Sequence, residues 1–144
     1  MKLVLTVGLA GSGKSTYLAK LGSNAIASDE MRRLLADDPT DQTIHKQVFA
    51  TVRYLVRARL AIGRPVTYVD ASHLTRWERR PYILIARKYG CRIEALYFDV
   101  PLDVCLDRNR ARHRVVPDDA IREMAKKLQP PTREEGFDKV ITVR

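Results

Sequence analysis

The residues best suited to chemistry lie near the start of the chain. Val7-Gly8-Leu9-Ala10-Gly11-Ser12-Gly13-Lys14-Ser15-Thr16 spells G-x-x-x-x-G-K-[ST] and follows the apolar run 3–7 directly. Gly8, Gly11 and Gly13 let the backbone turn tightly, so that successive N–H groups from Ala10 to Thr16 can face phosphate oxygens. Lys14 would reach the outer phosphates as a point charge, and the Ser15 hydroxyl can coordinate Mg²⁺. Residues 15–21 read as a helix whose N-terminus favours an anion at the same place. Strand, loop and helix stand in the order this mechanism needs, so the pattern predicts binding of ATP or another nucleoside triphosphate rather than a chance glycine turn.

Two carboxylates stand at equivalent places further on. Asp29 closes a short apolar run at 24–28, and Arg32 follows three residues later, on the same side of the first turn if a helix begins there. A carboxylate facing a γ-phosphate suits a base that takes the proton of an attacking hydroxyl. An arginine beside it can hold a phosphate of the acceptor in a bidentate grip. The plainer alternatives are an N-cap for Asp29 and a solvated ion pair for Arg32. Asp70 ends the run 66–69 as the acid of a Walker B strand does; it can hold Mg²⁺ through water or brace Arg32, or merely cap a turn. Ser72 and His73 can line the acceptor side, and a lone histidine in a loop is ordinarily unremarkable.

A basic run, Arg108-Asn109-Arg110-Ala111-Arg112-His113-Arg114, offers a second set of cations. A helix through Arg108 and Arg112 would aim both the same way, as a lid over the phosphate loop that neutralises developing charge. Arg110 and Arg114, at the intervening positions, read as solvated. The same solvated reading suits Arg53 with Arg57, and Arg76, Arg79 and Arg80 beside Trp77. Were these to border the cleft, they would guide an acceptor strand, with Trp77 as a stacking surface.

The elements that must position these groups alternate. Strands are expected at 3–7, 24–28, 66–69, 92–98 and 139–143, and helices at 15–21, 30–36, 40–62, 75–89, after 101 and at 118–128. In the longest helix Ile44, Val48, Val52, Leu55, Val56 and Leu60 recur at helical spacing and predict one buried face. Alternation of this kind predicts an α/β fold, a parallel five-stranded sheet with helices on both faces. Ligands of such sheets bind beyond the carboxyl ends of the strands, where Gly8, Asp29 and Asp70 all stand.

Composition sets the outer bounds. With 144 residues, no repeat and no linker, one domain over 1–144 is expected. No apolar run approaches a membrane span, and no signal-peptide pattern opens the chain, so a cytoplasmic protein without membrane partners is expected. Cys91 and Cys105 have no metal-type spacing, and His45, His73 and His113 are too scattered for a zinc site. The net charge is +9, more than a triphosphate requires, and nucleic acid is the first explanation for the excess, ahead of general solubility. Oligomeric state is not readable.

Taken together, these segments resemble the kinase module of the P-loop 5′-hydroxyl polynucleotide kinases, the end-healing enzymes of phage and bacterial nucleic-acid repair. The similar stretches are G-L-A-G-S-G-K-S-T, S-D-E-M-R, V-D-A-S-H-L-T-R-W-E-R-R, D-R-N-R-A-R-H-R-V-V-P and P-P-T-R-E-E-G-F-D-K-V, which together run the length of the chain. The resemblance implies an adenylate-kinase-like, three-layer P-loop fold with an Arg-rich lid. It further implies transfer of the ATP γ-phosphate to the 5′-OH of DNA or RNA. Under it Asp29 is the general base, Arg32 grips the phosphate next to the acceptor nucleoside, and Arg108 and Arg112 are lid arginines. Asp70-Ala71-Ser72-His73 departs from the Asp-Ala-Thr-Asn common in relatives. No D-x-D-G-T phosphatase motif and no ligase lysine motif occurs, so healing of 3′ ends or sealing would fall to other chains. Two other functions fit the same motifs: a kinase of this fold acting on a small molecule or an aminoacyl-tRNA, and a non-catalytic, nucleotide-dependent nucleic-acid-binding module.

Overall fold

A computed structural model describes residues 1–112 and 116–144. Its centre is a five-stranded, wholly parallel sheet in the order β2-β3-β1-β4-β5. The strands are β1 (Lys2–Val7), β2 (Ile26–Ala27), β3 (Val66–Asp70), β4 (Arg92–Phe98) and β5 (Lys139–Val143). Between them lie α1 (Lys14–Lys20), α2 (Ser28–Ala36), α3 (His45–Ala61), α4 (Arg76–Lys88), α5 (Leu102–Arg110) and α6 (Asp118–Lys127).

β1 is central and buried along nearly its whole length, which is why it reads as a continuous apolar run rather than an alternating one. Alternate residues still serve opposite faces. Leu3, Leu5 and Val7 pack with Val52, Val56 and Leu60 of α3 and with Tyr82, Ile83 and Ala86 of α4. Val4 meets Leu18 of α1 together with Leu96 and Phe98 on the other face. The result is the expected three-layer architecture. Each fully buried aliphatic side chain contributes about 1.5–3 kcal/mol. A separate cluster, Leu9, Leu74, Cys105, Leu106 and Ile121, seats α5 and α6 against the loop that follows β1.

Three expectations are corrected. The longest helix begins at His45 rather than residue 40, because the carboxylates of Asp38 and Asp41 accept the N–H groups of Thr40 (2.9 Å) and Thr43 (2.8 Å). Those local bonds hold 38–43 in turns. The second strand shrinks to Ile26–Ala27 because Ser28 already opens α2. No helix runs through both Arg108 and Arg112: α5 ends at Arg110, and the Arg112 N–H turns back to the carbonyl of Asn109. The remaining part of the basic run, with His113 and Arg114, lies outside the described residues. Among the described residues, no helix is long and apolar enough to cross a membrane.

Candidate active site

Beyond the carboxyl ends of β1, β2 and β3 lies a cleft of about 1150 Å³. Its floor is the loop after β1. Gly11 there has φ 81°, and a Cβ on it would come within 2.4 Å of the Cys105 carbonyl, so only glycine fits. Gly13 adopts φ 95° as the residue that opens α1. Ala10, Gly11, Gly13, Lys14, Ser15 and Thr16 line the cleft. Gly8 and Ser12 do not; they are buried behind the loop, where the Gly8 N–H reaches the Ser72 carbonyl at 3.0 Å.

The Lys14 ammonium folds back onto the loop, donating to the carbonyls of Leu9 (2.7 Å) and Gly8 (3.1 Å). Desolvation lowers its pKa to about 8; the Asp70 carboxylate opposes that shift and the Arg112 cation reinforces it. A polyphosphate would take the place of those carbonyls as a stronger partner. Ser15 donates to Asp70 Oδ2 at 2.7 Å, so the tips of α1 and β3 are already joined. A hydroxyl beside a carboxylate is a hard-oxygen pair of the kind Mg²⁺ accepts. Among the described residues no group of three or more His, Cys, Asp or Glu is placed to hold a metal ion by itself.

Across the cleft stand Asp29 and Arg32, both on α2 and both lining it. Asp29 is half exposed, with Oδ1 3.2 Å from Arg32 Nη1. Arg32, by contrast, is only 5% exposed, and its Nε has no hydrogen-bond partner among the described residues. Asp70 does not brace Arg32; its contact is with Ser15. The third wall carries Arg108 and Arg112. Arg108 Nη1 lies 3.4 Å from the Ser12 carbonyl, above the phosphate loop, and also borders a cavity of about 450 Å³ with Asp99, Val100 and Arg144. The two arginines share no helix, and Asn109 lies between them in sequence. It is fully buried, and its Oδ1 accepts the Val116 N–H at 3.0 Å while its amide donates to the Val116 carbonyl.

Other basic residues sort differently. Arg79 is fully buried and not part of a solvated face. It makes a two-bond ion pair with Glu135 (2.8 and 3.0 Å) and donates to the carbonyls of His73, Leu74 and Gln129. Arg110 pairs on the surface with Asp107 and Asp118. Arg76, Arg80 and Trp77 remain exposed at the start of α4, whose Glu78 touches the cleft.

Ser72 lines the cleft and so does His73, which also braces the fold. His73 sits at φ 46°, is 2% exposed, and its Nδ1–H donates to the Thr6 carbonyl at 2.7 Å. Burial lowers its pKa to about 4 against that bond, with the Arg79 cation adding to the shift. Two groups in the cleft wall have no sequence motif. His45 and Phe49, one turn apart at the start of α3, both line the cleft, as do Thr40 and Gln42 before them. The only sequence signal for Phe49 is its position, an aromatic beside rather than within the buried stripe.

Comparison with known proteins places this geometry in context. A family model described as an AAA domain matches residues 3–131. The L-seryl-tRNA(Sec) kinase of Mus musculus is 34% identical over 80 residues, 55% of this chain and 22% of that protein. This chain therefore spans less than a quarter of that curated relative. A chain of the Pnkp1/Rnl/Hen1 RNA repair complex superposes with a TM-score of 0.75 at 22% identity, over 95% of this chain and 46% of that one. A gluconokinase from Sinorhizobium meliloti superposes with a TM-score of 0.66 at 19% identity, over 99% of this chain and 81% of that one. Both structural likenesses concern the P-loop kinase fold.

Proposed function

Since the chain belongs to that AAA-domain family, we propose that it is an ATP-dependent phosphotransferase whose acceptor is the 5′-hydroxyl end of a DNA or RNA strand. The observation that carries this reading is that one cleft is lined both by Lys14 on the phosphate loop and by the Asp29–Arg32 pair on α2. A nucleotide-binding module needs the loop alone; a carboxylate paired with a nearly buried arginine in the same cleft adds a place for an acceptor.

In this reading the loop N–H groups and Lys14 hold the β- and γ-phosphates. Asp29 accepts the proton of the attacking hydroxyl as the new O–P bond forms and the bond from γ-phosphorus to its bridging oxygen breaks, releasing ADP. Arg32 turns its unpartnered Nε and its Nη groups to the phosphate on the 3′ side of the acceptor nucleoside. Arg108 and Arg112 neutralise charge on the transferring group. Mg²⁺, bound with the nucleotide, would be held by Ser15 with Asp70 beside it and would supply charge neutralisation between the phosphates. The net charge of +9 suits a polyanionic acceptor.

A second reading, transfer to the hydroxyl of an aminoacyl group on tRNA, is favoured by the sequence match to L-seryl-tRNA(Sec) kinase. One acceptor panel separates the readings. The protein is incubated with γ-labelled ATP and, in turn, a 5′-OH oligonucleotide, a seryl-tRNA and gluconate. Label on the oligonucleotide alone is expected. Label on another acceptor with none on the oligonucleotide overturns the preferred reading, and nucleotide binding without transfer to any acceptor leaves only a binding module.

A further inference from the structure

We infer that the ring of Phe49, backed by His45, is a stacking platform for the base of the acceptor's 5′-terminal nucleoside. The inference rests on the polynucleotide reading above and narrows it: the enzyme grips a base-bearing terminus and not merely a hydroxyl beside a phosphate.

The geometry begins with α3. Val48, Val52, Val56 and Leu60 share the face turned into the core. Phe49 lies one residue, about 100° of rotation, off that stripe. It is half-buried and borders the cleft. His45, one turn earlier, stands with its ring centroid 4.7 Å from that of Phe49 and their planes at 49°, so the two rings pack against each other. Among the described residues that line the cleft, Phe49 is the one Phe, Tyr or Trp. The cleft is otherwise lined by polar and charged residues, Thr40, Gln42, Asp29 and Arg32 among them, together with the side chains of Leu74, Val116 and Met124. The Phe49 ring is only partly buried where it borders the cleft, and a nucleobase there would cover apolar surface that the fold leaves exposed.

Placement favours a base over a sugar. If a hydroxyl lies at Asp29 and a phosphate at Arg32, the two ends of one nucleoside 3′-phosphate are fixed on α2. A base attached between them then has the packed neighbour within reach, and α3 is the helix that packs on α2. A polyhydroxylated acid has no flat face to offer there. Stacking tolerates any base, since every base has a π-face, so little sequence preference at the terminal position is expected.

The test is a cycle between protein and substrate. Acceptor oligonucleotides carry either a normal or an abasic 5′-terminal residue, with its hydroxyl and 3′-phosphate intact. With the native protein, loss of the base is expected to raise KM roughly 5- to 100-fold. Phe49→Ala should raise KM similarly for the normal oligonucleotide and leave the abasic one unchanged. Phe49→Leu, which keeps packing volume, should behave like Phe49→Ala, and Phe49→Tyr should restore the native value. Independently of turnover, 2-aminopurine at the terminal position should be quenched on binding to the native protein and much less on binding to Phe49→Leu. Equal KM for both oligonucleotides in the native protein, with transfer intact, overturns this inference alone. Absence of transfer to either oligonucleotide overturns the functional reading and this inference with it.

Discussion

Arg32 and Arg79 are the two buried arginines among the described residues, and their surroundings differ in kind. Around Arg79 every nitrogen is engaged: Nε and Nη2 donate to Glu135, and Nη1 donates to the carbonyls of His73, Leu74 and Gln129. Glu135 is itself engaged a third time by the Thr132 N–H at 2.8 Å. That knot ties the start of α4 to the segment before β5. Around Arg32 there is one bond to Asp29, an Nε without a partner, and a cleft in front. A buried guanidinium with every nitrogen engaged is a strut. One with donors left over, facing a cleft, is stabilised only when a ligand arrives, because an unsatisfied buried donor costs about 1–3 kcal/mol.

The sharpest way to break this contrast is to remove each charge in turn. Arg79→Met strands Glu135, which is 3% exposed, and three carbonyls, so a loss of about 3–5 kcal/mol in unfolding free energy is expected from denaturant titration. Arg32→Met should change stability by less than about 1 kcal/mol, since its bond to a half-exposed Asp29 is weak. It should instead abolish any preference for acceptors carrying a 3′-phosphate. Comparable destabilisation by the two substitutions would contradict the division between strut and site.

A second measurement probes the strut side through pH. His73 is neutral in the folded chain, with its pKa lowered to about 4, while the unfolded chain takes up the proton near 6.5. The unfolded state therefore binds more protons between those values, and stability falls as pH drops through that window. The loss is on the order of 3 kcal/mol by pH 4. In His73→Asn the part of the acid slope due to this residue should vanish, read as the difference between the two proteins in denaturant titrations at pH 7 and pH 4.5.

The smallest effect belongs to the site side. Lys14 titrates near 8 in the unliganded protein, and a polyphosphate would hold its proton more firmly. Nucleotide affinity should then be flat from pH 7 to 8 and weaken above that, approaching tenfold per pH unit. A flat profile to pH 10 by equilibrium binding would show that the ammonium does not meet the phosphates.

The same contrast explains what could be read from the residue string. That the phosphate loop, Asp29 with Arg32, and Asp70 border one cleft was legible, because it depends on local spacing and on strand ends, both of which the string carries. β4 and β5 were also legible to the residue. Arg79 was not, because its partners lie 50 and 56 positions away and nothing in R-W-E-R-R marks which arginine turns inward. The start of α3 was misplaced because helical periodicity extends back through 40–44, where the Asp38 and Asp41 carboxylates capture the backbone first. Arg112 reaches the cleft without the helix expected of it, since its N–H turns back to the Asn109 carbonyl. Phe49 was missed because it differs from a core residue only by one step of rotation.

The most direct test of the central claim is single-turnover transfer from labelled ATP to a 5′-OH oligonucleotide by Asp29→Asn, with nucleotide affinity measured on the same preparation. The account predicts unchanged affinity and a transfer rate lower by about 10²–10⁴-fold. A rate within threefold of the native protein would contradict it.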